Sequence, residues 1–485
     1  MPPSLAVLIT LIFISWLFSL DREETHGCSR AIWIPLLWLL ILGSRPISAW
    51  FNPGEVSEPV NFEEGSPFDR NVFLGLILAG IVVLLRRRGN WGAFIARNPW
   101  LVIYFAYLGL SIGWSDYPFV AFKRWFKDVG NVIMVLVVLS EPLPLNAARL
   151  ILARSAYILI PFSVILIKYF PDLGRYYNPF VWTAAYGGVT MDKNTLGMTL
   201  FMCGIGIAWR ILDLWKERSD RRTEFYALLL ISCLCLWLWH ISKCATSLAA
   251  TVIGLATLIG LNASFIRKRF ARGNFWVLGA VLLTLLVGDC FLIISSFFNP
   301  LEAISGVLGR DSTLTGRTDI WNALLQSNIN PIIGAGYGSF WQPERGESVS
   351  KSLGFLFSLK EAHNGYLEVY LNSGFVGLTL LAIMLVDGAR KILKRIPTGD
   401  SLEAFRFVLL IGAVVYNMTE SAFGGLVVTW FLLLLAITEF PRPMGTNNHR
   451  PGLFMQSSRS PGTSTQRGRS REAFEGLLRR SPTHT

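Results

Sequence analysis

The sequence is poor in charged residues and in the side chains that hold metal ions. Charged residues make up 16% of its 485 positions and only 5 positions are histidine, whereas a soluble globular domain carries about a quarter charged residues. The 6 cysteines lie mostly within apolar runs and lack the spacing of a zinc site or of a secreted disulfide framework. These absences exclude an ordinary soluble domain and give no support to a metal site.

Long apolar runs are abundant, since 52% of the residues are hydrophobic. A helix crosses a hydrocarbon core of about 30 Å with about 20 mostly apolar residues, and we count about thirteen candidate spans. The clearer candidates are residues 101–112, 132–139, 150–167, 196–212, 225–239, 245–261, 275–297, 375–386 and 426–437, and the weaker ones are 5–20, 32–42, 72–85 and 405–418. The sequence therefore predicts an all-α, polytopic integral membrane bundle of about 12–13 transmembrane helices.

The basic residues indicate how this bundle is oriented, because Lys and Arg in short loops favour the cytoplasmic side. Dense basic clusters occur at residues 86–88, 216–222, 267–269 and 390–395 and in the C-terminal tail. They alternate with the loops at 50–69, 114–123, 168–193 and 241–244 and with a long hydrophilic segment that ends near residue 372. We therefore assign this second set of loops to the extracytoplasmic side.

The same patterns divide the chain into five parts. They are the N-terminal transmembrane helices (1–113), a central transmembrane core with outward basic loops (114–297), a large periplasmic loop expected to carry the chemistry (298–372), the C-terminal transmembrane helices (373–440) and a basic tail (441–485). The tail is rich in Ser, Pro, Gly and Arg and has too few apolar residues to fold alone, so we predict that it is disordered and cytoplasmic. Its charge is better explained by membrane topology and contact with anionic lipid than by nucleic-acid binding.

Several cations lie in segments that the charge rule assigns to the outer face. They are Lys123, Arg124, Lys127, Arg175, Lys193, Lys243 and Arg317. Two explanations remain open: the cations pair internally with Asp116, Asp128, Asp192 or Asp319, or they bind an anionic ligand that arrives from the membrane. The second explanation requires at least four separate loops to converge. A lipid pyrophosphate is then the natural ligand, because guanidinium groups fork onto phosphate oxygens.

A series of short motifs follows these cations along the chain. It comprises Trp114-Ser115-Asp116 with Lys123-Arg124, Lys193-Asn194 with Gly197, Ser242-Lys243, Gly316-Arg317-Thr318-Asp319, His363-Asn364 with Gly374 and Gly377, and Asn417 with Glu420-Ser421. Taken in order, these motifs resemble the O-antigen ligase and exopolysaccharide polymerase superfamily of bacterial membrane glycosyltransferases, and most closely its exopolysaccharide polymerase branch. The resemblance spans roughly residues 114–431. Asp192 is a departure from it, because many relatives carry His before the Lys-Asn pair.

The resemblance implies a GT-C-like membrane enzyme of the cell inner membrane whose active site faces the periplasm. Its donor would be a glycan on undecaprenyl pyrophosphate and its acceptor a sugar hydroxyl of another glycan, with transfer independent of metals and of cofactors. The absence of an Asp-x-Asp motif from the outward loops fits a metal-independent reaction, since cations at the pyrophosphate can replace a metal. Whether a separate chain-length regulator takes part stays open, and no nucleic acid is expected as a partner.

His363 and Arg317 are the candidate catalytic residues. His363 can act as a general base or as the hydrogen-bond partner that orients the acceptor hydroxyl, and its alternative role is to cap the helix that begins near Asn364. Arg317 is the candidate pyrophosphate ligand, and its alternative role is to start a helix with capping help from Thr318 and Asp319. The candidate substrate-binding residues are Lys123, Arg124, Lys193, Asn194, Lys243, Asn364 and Glu361, with Gly374 and Gly377 as a structural motif.

Three functions are compatible with these residues. The first is a polymerase that joins lipid-linked repeat units of an exopolysaccharide, and the second is a ligase that joins O-antigen to lipid A core. The third is a transporter or flippase for a lipid-linked glycan, which should show inverted repeats and charges near the bilayer midplane. The sequence shows no convincing internal repeat, and its outward cations cluster at the ends of apolar runs, so a transferase is favoured.

Overall fold

The computed structural model describes residues 1–21, 27–51, 66–177, 183–216, 221–262, 317–354 and 359–441. The predicted span at 275–297, the basic cluster at 267–269, the first part of the predicted outer loop and nearly all of the predicted tail lie outside them.

Helices make up almost all of the regular structure. In chain order the α-helices are α1 (Pro3–Leu20), α2 (Trp33–Leu42), α3 (Ile47–Phe51), α4 (Pro67–Arg86), α5 (Trp91–Arg97), α6 (Pro99–Leu110), α7 (Pro118–Leu139), α8 (Pro144–Tyr169), α9 (Pro171–Gly174), α10 (Lys193–Lys216), α11 (Arg222–Ser242), α12 (Ala245–Asn262), α13 (Arg317–Leu325), α14 (Pro343–Ser352), α15 (Gly365–Arg395), α16 (Ser401–Tyr416) and α17 (Val428–Ile437). Strands β1 (Arg175–Tyr177) and β2 (Ala184–Tyr186) form one antiparallel pair.

Proline marks the start of many of these helices. Its missing N–H would be unpaired in the first turn of any helix, and its φ is already set to the helical value, so proline is well tolerated there. The helices that begin at a proline are α1, α4, α6, α7, α8, α9 and α14. Local sequence thus fixes the point at which each of these helices begins.

Seven of the described helices are long and apolar enough to cross a membrane, namely α1, α4, α8, α10, α11, α12 and α15. The pair formed by α5 and the segment Pro99–Trp114 passes the same test but is bent by 92°. The segments Arg30–Leu42 and Val428–Ile437 are apolar but shorter. The prediction of an all-α, polytopic membrane protein is confirmed, while the total of about thirteen spans stays a prediction.

Burial separates central helices from peripheral ones. The apolar windows of α8 and α10 are 83% and 72% buried, whereas those of α1 and α4 are 17% and 22% buried. Every residue of α17 is buried, and α16 packs against both α12 and α17. The centre of the bundle is therefore built by α8, α10, α16 and α17, and the exposed apolar faces of α1 and α4 are suited to lipid.

The predicted outer loop is described at residues 317–354 and 359–372, of which 365–372 form the start of α15, and it has its own hydrophobic cluster. Trp321, Leu324 and Phe340 are among its buried members, together with Leu367 and Leu371 from the start of α15. The loop is thus partly helical, through α13 and α14, and packs on the first turns of α15. This packing brings its polar residues against the ends of the bundle helices.

Gly374 breaks the regular geometry of α15. Its φ is +62°, and a Cβ at this position would lie 2.2 Å from the carbonyl oxygen of Ile332. The break lets the loop dock on the helix, because the N–H of Phe375 donates to the carbonyl of Pro331 at 2.9 Å. A Cβ on Gly377 would lie 1.9 Å from the Ser373 hydroxyl. Close backbone packing and a positive φ therefore require glycine at 374, whereas at 377 a Cβ would displace the Ser373 side chain.

Candidate active site

Glu420 is the centre of the candidate site. Its side chain is 2% exposed, and its Oε1 lies 3.0 Å from Nη2 of Arg317. Its Oε2 accepts a hydrogen bond from Nδ2 of Asn194 at 3.2 Å and lies 3.4 Å from Nδ1 of His363. Three candidate residues from distant parts of the sequence thus converge on one buried carboxylate.

The start of α10 positions Asn194. Asp192 caps this helix, because its Oδ1 accepts the backbone N–H groups of Asn194 at 2.8 Å and of Thr195 at 2.9 Å. The hydroxyl of Tyr416, from α16, donates to the carbonyl of Asn194 at 3.2 Å. Asp192 therefore has a structural role at the start of α10.

The segment before α15 positions His363. Asn364 is the N-cap of α15 and accepts from the N–H groups of Tyr366 and Leu367, each at 3.0 Å. The next residue, Gly365, donates its N–H to the carbonyl of Asn417 at 2.8 Å. The helix-capping role considered for His363 thus belongs to Asn364, and the imidazole is free to face Glu420.

His363 lies between two carboxylates. Its Nδ1 is 3.0 Å from Oε1 of Glu361 and 3.4 Å from Oε2 of Glu420. Burial lowers the pKa of the imidazole, but the hydrogen bonds and negative charges of the two carboxylates outweigh burial and raise the pKa to about 10. His363 is therefore an imidazolium at neutral pH, which donates hydrogen bonds and stabilises negative charge but cannot accept a proton.

Arg317 is held by the segment that carries Glu420. Its Nη1 donates to the carbonyl of Thr419 and its Nη2 donates to Glu420, while 19% of the side chain stays exposed. Arg317 is also the first residue of α13. Arg317 thus starts a helix, as one of the two interpretations from sequence held, and its guanidinium contacts Glu420. Its role as a pyrophosphate ligand stays a prediction.

Lys193 and Lys243 border the same group. Lys193 is the first residue of α10, next to Asn194, and Lys243 ends α11 with a φ of +51°. Cys244 interacts electrostatically with both Glu420 and Lys193, which places the end of α11 beside the site. Within the part of the chain that the structure describes, no carboxylate pairs with either lysine.

The side chains of Lys123 and Arg124 contact different groups. Arg124 donates from Nη1 to the carbonyl of Gly338 in the loop. The Nζ of Lys123 instead lies 4.8 Å from the centre of the Phe119 ring, on the same helix. The structure brings Arg317, His363, Asn194 and Glu361 together around Glu420, and it places Lys123 and Arg124 outside that group.

Three of the four aspartates considered above as internal partners are engaged with other groups. Asp116 pairs with Arg345 at 2.6 Å, and Asp192 caps α10. Asp128 is fully buried and accepts hydrogen bonds from Tyr337, Trp430 and Asn131. Among the described ion pairs, Arg317 pairs with Glu420 and with none of these three aspartates.

The acidic side of the site has one further property. The ligand atoms of Glu361, His363 and Glu420 lie within 4.8 Å of one another, a spacing that could hold a metal ion. The guanidinium of Arg317 already neutralises Glu420 and would repel a divalent cation. We therefore interpret the group as a network of ion pairs.

Glu420 was not among the site residues predicted from sequence. A motif did point to this segment, since Asn417, Glu420 and Ser421 completed the set of motifs. The position of a carboxylate beside the last apolar runs does not indicate which loop its side chain contacts. Only the packing of α15 and α16 shows that Glu420 faces both Arg317 and His363.

Comparison with known proteins agrees with the resemblance seen in the motifs. Residues 218–382 match the model of a family described as O-antigen ligase. The chain is also 23% identical over 354 residues to the exopolysaccharide production protein ExoQ of Rhizobium meliloti (strain 1021), an alignment that covers 71% of this chain and 76% of the relative. The resemblance to the O-antigen ligase and exopolysaccharide polymerase superfamily is thereby confirmed.

The segment matched by the family model contains only part of the site. Arg317, Glu361 and His363 lie within residues 218–382, whereas Asn194 and Glu420 lie outside this range. The longer alignment with the exopolysaccharide relative covers more of the chain. The comparisons support a multi-pass membrane protein of the polysaccharide ligase or polymerase type.

Proposed function

We propose that this protein is a metal-independent polymerase that joins undecaprenyl-pyrophosphate-linked repeat units in exopolysaccharide biosynthesis, with its active site on the periplasmic face of the inner membrane. The observation that carries this proposal is the convergence of Arg317, His363 and Asn194 on Glu420. Lys193 and Lys243 beside them pair with no carboxylate of the described residues and add positive charge. Such a site suits a ligand that carries two phosphates.

The reaction makes one bond and breaks one bond at the anomeric carbon of the donor sugar. The acceptor hydroxyl oxygen forms the new glycosidic bond, and the bond from this carbon to the pyrophosphate oxygen breaks. Both electrons of the broken bond leave with the pyrophosphate, so negative charge grows on its oxygens. Arg317, Lys193 and Lys243 would stabilise that charge, which is the role that a metal ion has in other transferases.

The acceptor hydroxyl must also lose its proton. His363 is already protonated at neutral pH, because its pKa is raised to about 10. Glu361 is the accessible carboxylate beside it, since its side chain is 38% exposed whereas that of Glu420 is 2% exposed. In our proposal Glu361 takes the proton, and His363 orients the hydroxyl and adds positive charge.

Ligation of O-antigen to lipid A core is the second candidate. It is favoured by the description of the matched family as O-antigen ligase and would use the same donor chemistry. The two activities differ in the acceptor. The polymerase is preferred because the exopolysaccharide relative aligns with 71% of the chain. A transporter is disfavoured, since the cations lie at the starts and ends of α10, α11 and α13 and away from a bilayer midplane.

The test replaces His363 with Ala and, separately, Arg317 with Ala in cells that lack the native gene. Lipid-linked repeat units and finished polymer are then measured at matched membrane abundance. His240→Ala and Arg345→Ala are the matched controls, since His240 is exposed and Arg345 pairs with Asp116 away from Glu420. The proposal expects single repeat units to accumulate in both site variants and polymer to form in both controls. Normal polymer in the site variants would reject the assignment.

A further inference from the structure

A second group of basic side chains lies at the starts of α4 and α7. It consists of Arg70 on α4 and of Lys123 and Lys127 on α7, and we call it the outer basic cluster. Lys123 and Lys127 are four residues apart, so they lie on the same face of α7. Arg70 is exposed, and the two lysines are half-buried.

The packing of α4 on α7 brings Arg70 level with the lysines. A Cβ on Gly80 of α4 would lie 2.8 Å from Cγ2 of Ile133, and a Cβ on Gly130 of α7 would lie 2.9 Å from Cδ1 of Ile77. Both contacts give the same register between two parallel helices. Gly80 thus lies beside Ile133, and Ile77 lies beside Gly130. The same offset, applied nearer the starts of the two helices, places Arg70 of α4 opposite Lys123 of α7.

Among the residues that the structure describes, no carboxylate forms an ion pair with this cluster. Lys127 interacts repulsively with Lys123 and Arg70 and attractively with Asp69. Asp69 is engaged elsewhere, since its two carboxylate oxygens accept from the N–H of Ser48 at 3.0 Å and from its hydroxyl at 2.6 Å. No carboxylate of the described ranges lies within 4.0 Å of Arg70, Lys123 or Lys127. Within the described ranges, the carboxylate that attracts Lys127 is that of Asp69, which already accepts two hydrogen bonds from Ser48.

Exposed aromatic rings surround the cluster. Phe51 is 73% exposed, Phe68 51%, Phe119 70% and Phe122 47%, and the Phe51 and Phe68 rings pack edge to face at 5.9 Å. Phenylalanine has no polar group, so exposed Phe rings are suited to contact with lipid acyl chains. Cations beside such rings are suited to the phosphate groups that border those chains.

The cluster is separate from the site around Glu420. Successive residues of a helix point about 100° apart, and Arg124 turns to the carbonyl of Gly338 in the loop. Lys123 and Lys127 instead share the face of α7 that packs on α4. Within the described residues, no ion pair or hydrogen bond joins Arg70, Lys123 or Lys127 to Glu420, His363 or Arg317.

We propose that the outer basic cluster binds the phosphate headgroup of an anionic lipid in the outer leaflet, at a site apart from Arg317 and His363. Lysine ammonium groups act as point charges toward phosphate, and juxtamembrane cations attract anionic lipid. The aromatic rings would line the upper part of the acyl chains. This inference goes beyond the proposed function, because lipid binding here does not depend on glycan transfer.

The test measures binding of short-chain phosphatidylglycerol to the purified full-length protein in an uncharged detergent, by native mass spectrometry. The variants are Lys123→Gln with Lys127→Gln, and Arg70→Gln with Lys123→Gln. We expect affinity to fall about fivefold for each removed charge. Lys127→Arg should keep the affinity of the native chain. Thermal unfolding checks that each variant is folded. If the variant with Lys123→Gln and Lys127→Gln is poorly folded, the variant with Arg70→Gln and Lys123→Gln tests the proposal.

Lys168→Gln is the matched control, because Lys168 ends α8 and its Nζ lies over the Trp237 ring at 5.2 Å. Short-chain phosphatidylcholine and inorganic phosphate are the comparison ligands. Unchanged phosphatidylglycerol affinity in the double variants would overturn the proposal, as would an equal loss in Lys168→Gln. Equal competition by inorganic phosphate would also overturn it, since the ligand would then be a free anion. None of these outcomes depends on transfer activity, so the proposed function is tested separately.

Discussion

Arg317 and Glu420 form an ion pair with an Nη2 to Oε1 distance of 3.0 Å, although they are 103 positions apart in the chain. The pair joins the first turn of α13 to the segment that follows α16. Because His363 and Asn194 contact the other oxygen of the same carboxylate, this pair fixes the relative positions of all three groups. Four predictions follow from this arrangement and from the packing that supports it.

Glu420→Gln should disable the site and weaken the fold. The change leaves Arg317 and His363 without their shared buried anion, and loss of one partner of a buried ion pair costs about 3–5 kcal/mol. We expect polymer formation to fall at least tenfold and thermal unfolding of the purified protein to shift to lower temperature. Glu347→Gln is the control, since Glu347 is 54% exposed in its pair with Lys351 and such pairs contribute at most about 1 kcal/mol. Equal effects in the two variants would contradict the role of Glu420.

The raised pKa of His363 predicts that the transfer rate declines at high pH. Its folded pKa of about 10 is above the ordinary value of 6.5, so the stability that it contributes is full below pH 6.5 and is lost as pH rises to about 10. Transfer should therefore persist at neutral pH and decline toward pH 10, and His363→Gln should lack this decline. The measurement is the transfer rate of the purified protein from pH 5 to 10. A rate that instead rises through pH 6.5 in the native protein would identify a neutral imidazole acting as base.

Gly374→Ala should destabilise the protein by about 1–3 kcal/mol. Its φ of +62° disfavours any Cβ, and that Cβ would meet the Ile332 carbonyl at 2.2 Å. Gly75→Ala is the control, because a Cβ there meets nothing within 4 Å and alanine favours a helix by about 1 kcal/mol. Thermal unfolding in detergent compares the two. If both variants unfold at the native temperature, the loop does not depend on the break in α15.

Chelators should leave transfer intact. The ligand atoms of Glu361, His363 and Glu420 are within 4.8 Å of one another, yet we interpret them as partners of Arg317 and of each other. Excess EDTA is therefore expected to change the rate of the purified protein by less than twofold. Loss of activity that a divalent cation restores would reveal a metal at these three residues and would reject a metal-independent reaction.

Composition and local patterns were sufficient to predict the class of fold and the motifs. Apolar runs predicted the helical membrane bundle. The spacing of His363 to Gly374 could be recognised because both lie in one short segment. In each case the information is local in sequence.

The membership of the site was only partly predictable. Lys123 and Arg124 are adjacent in sequence, but a helix directs them to different faces, and only the packing of α7 on α4 and on the loop decides which face is which. Asp128 looked like a partner for an outer cation, yet Tyr337 and Trp430 occupy it. These contacts depend on how distant helices pack, which periodicity does not specify.

The most direct test of the central claim uses purified protein, a synthetic undecaprenyl-pyrophosphate-linked repeat unit and EDTA, with no other protein. The account predicts lengthened lipid-linked glycan together with an equal amount of released undecaprenyl pyrophosphate. It also predicts that Arg317→Ala, folded to the same extent, yields less than a tenth of both products. A native protein that forms neither product, or an Arg317→Ala variant that forms both at the native rate, would contradict it.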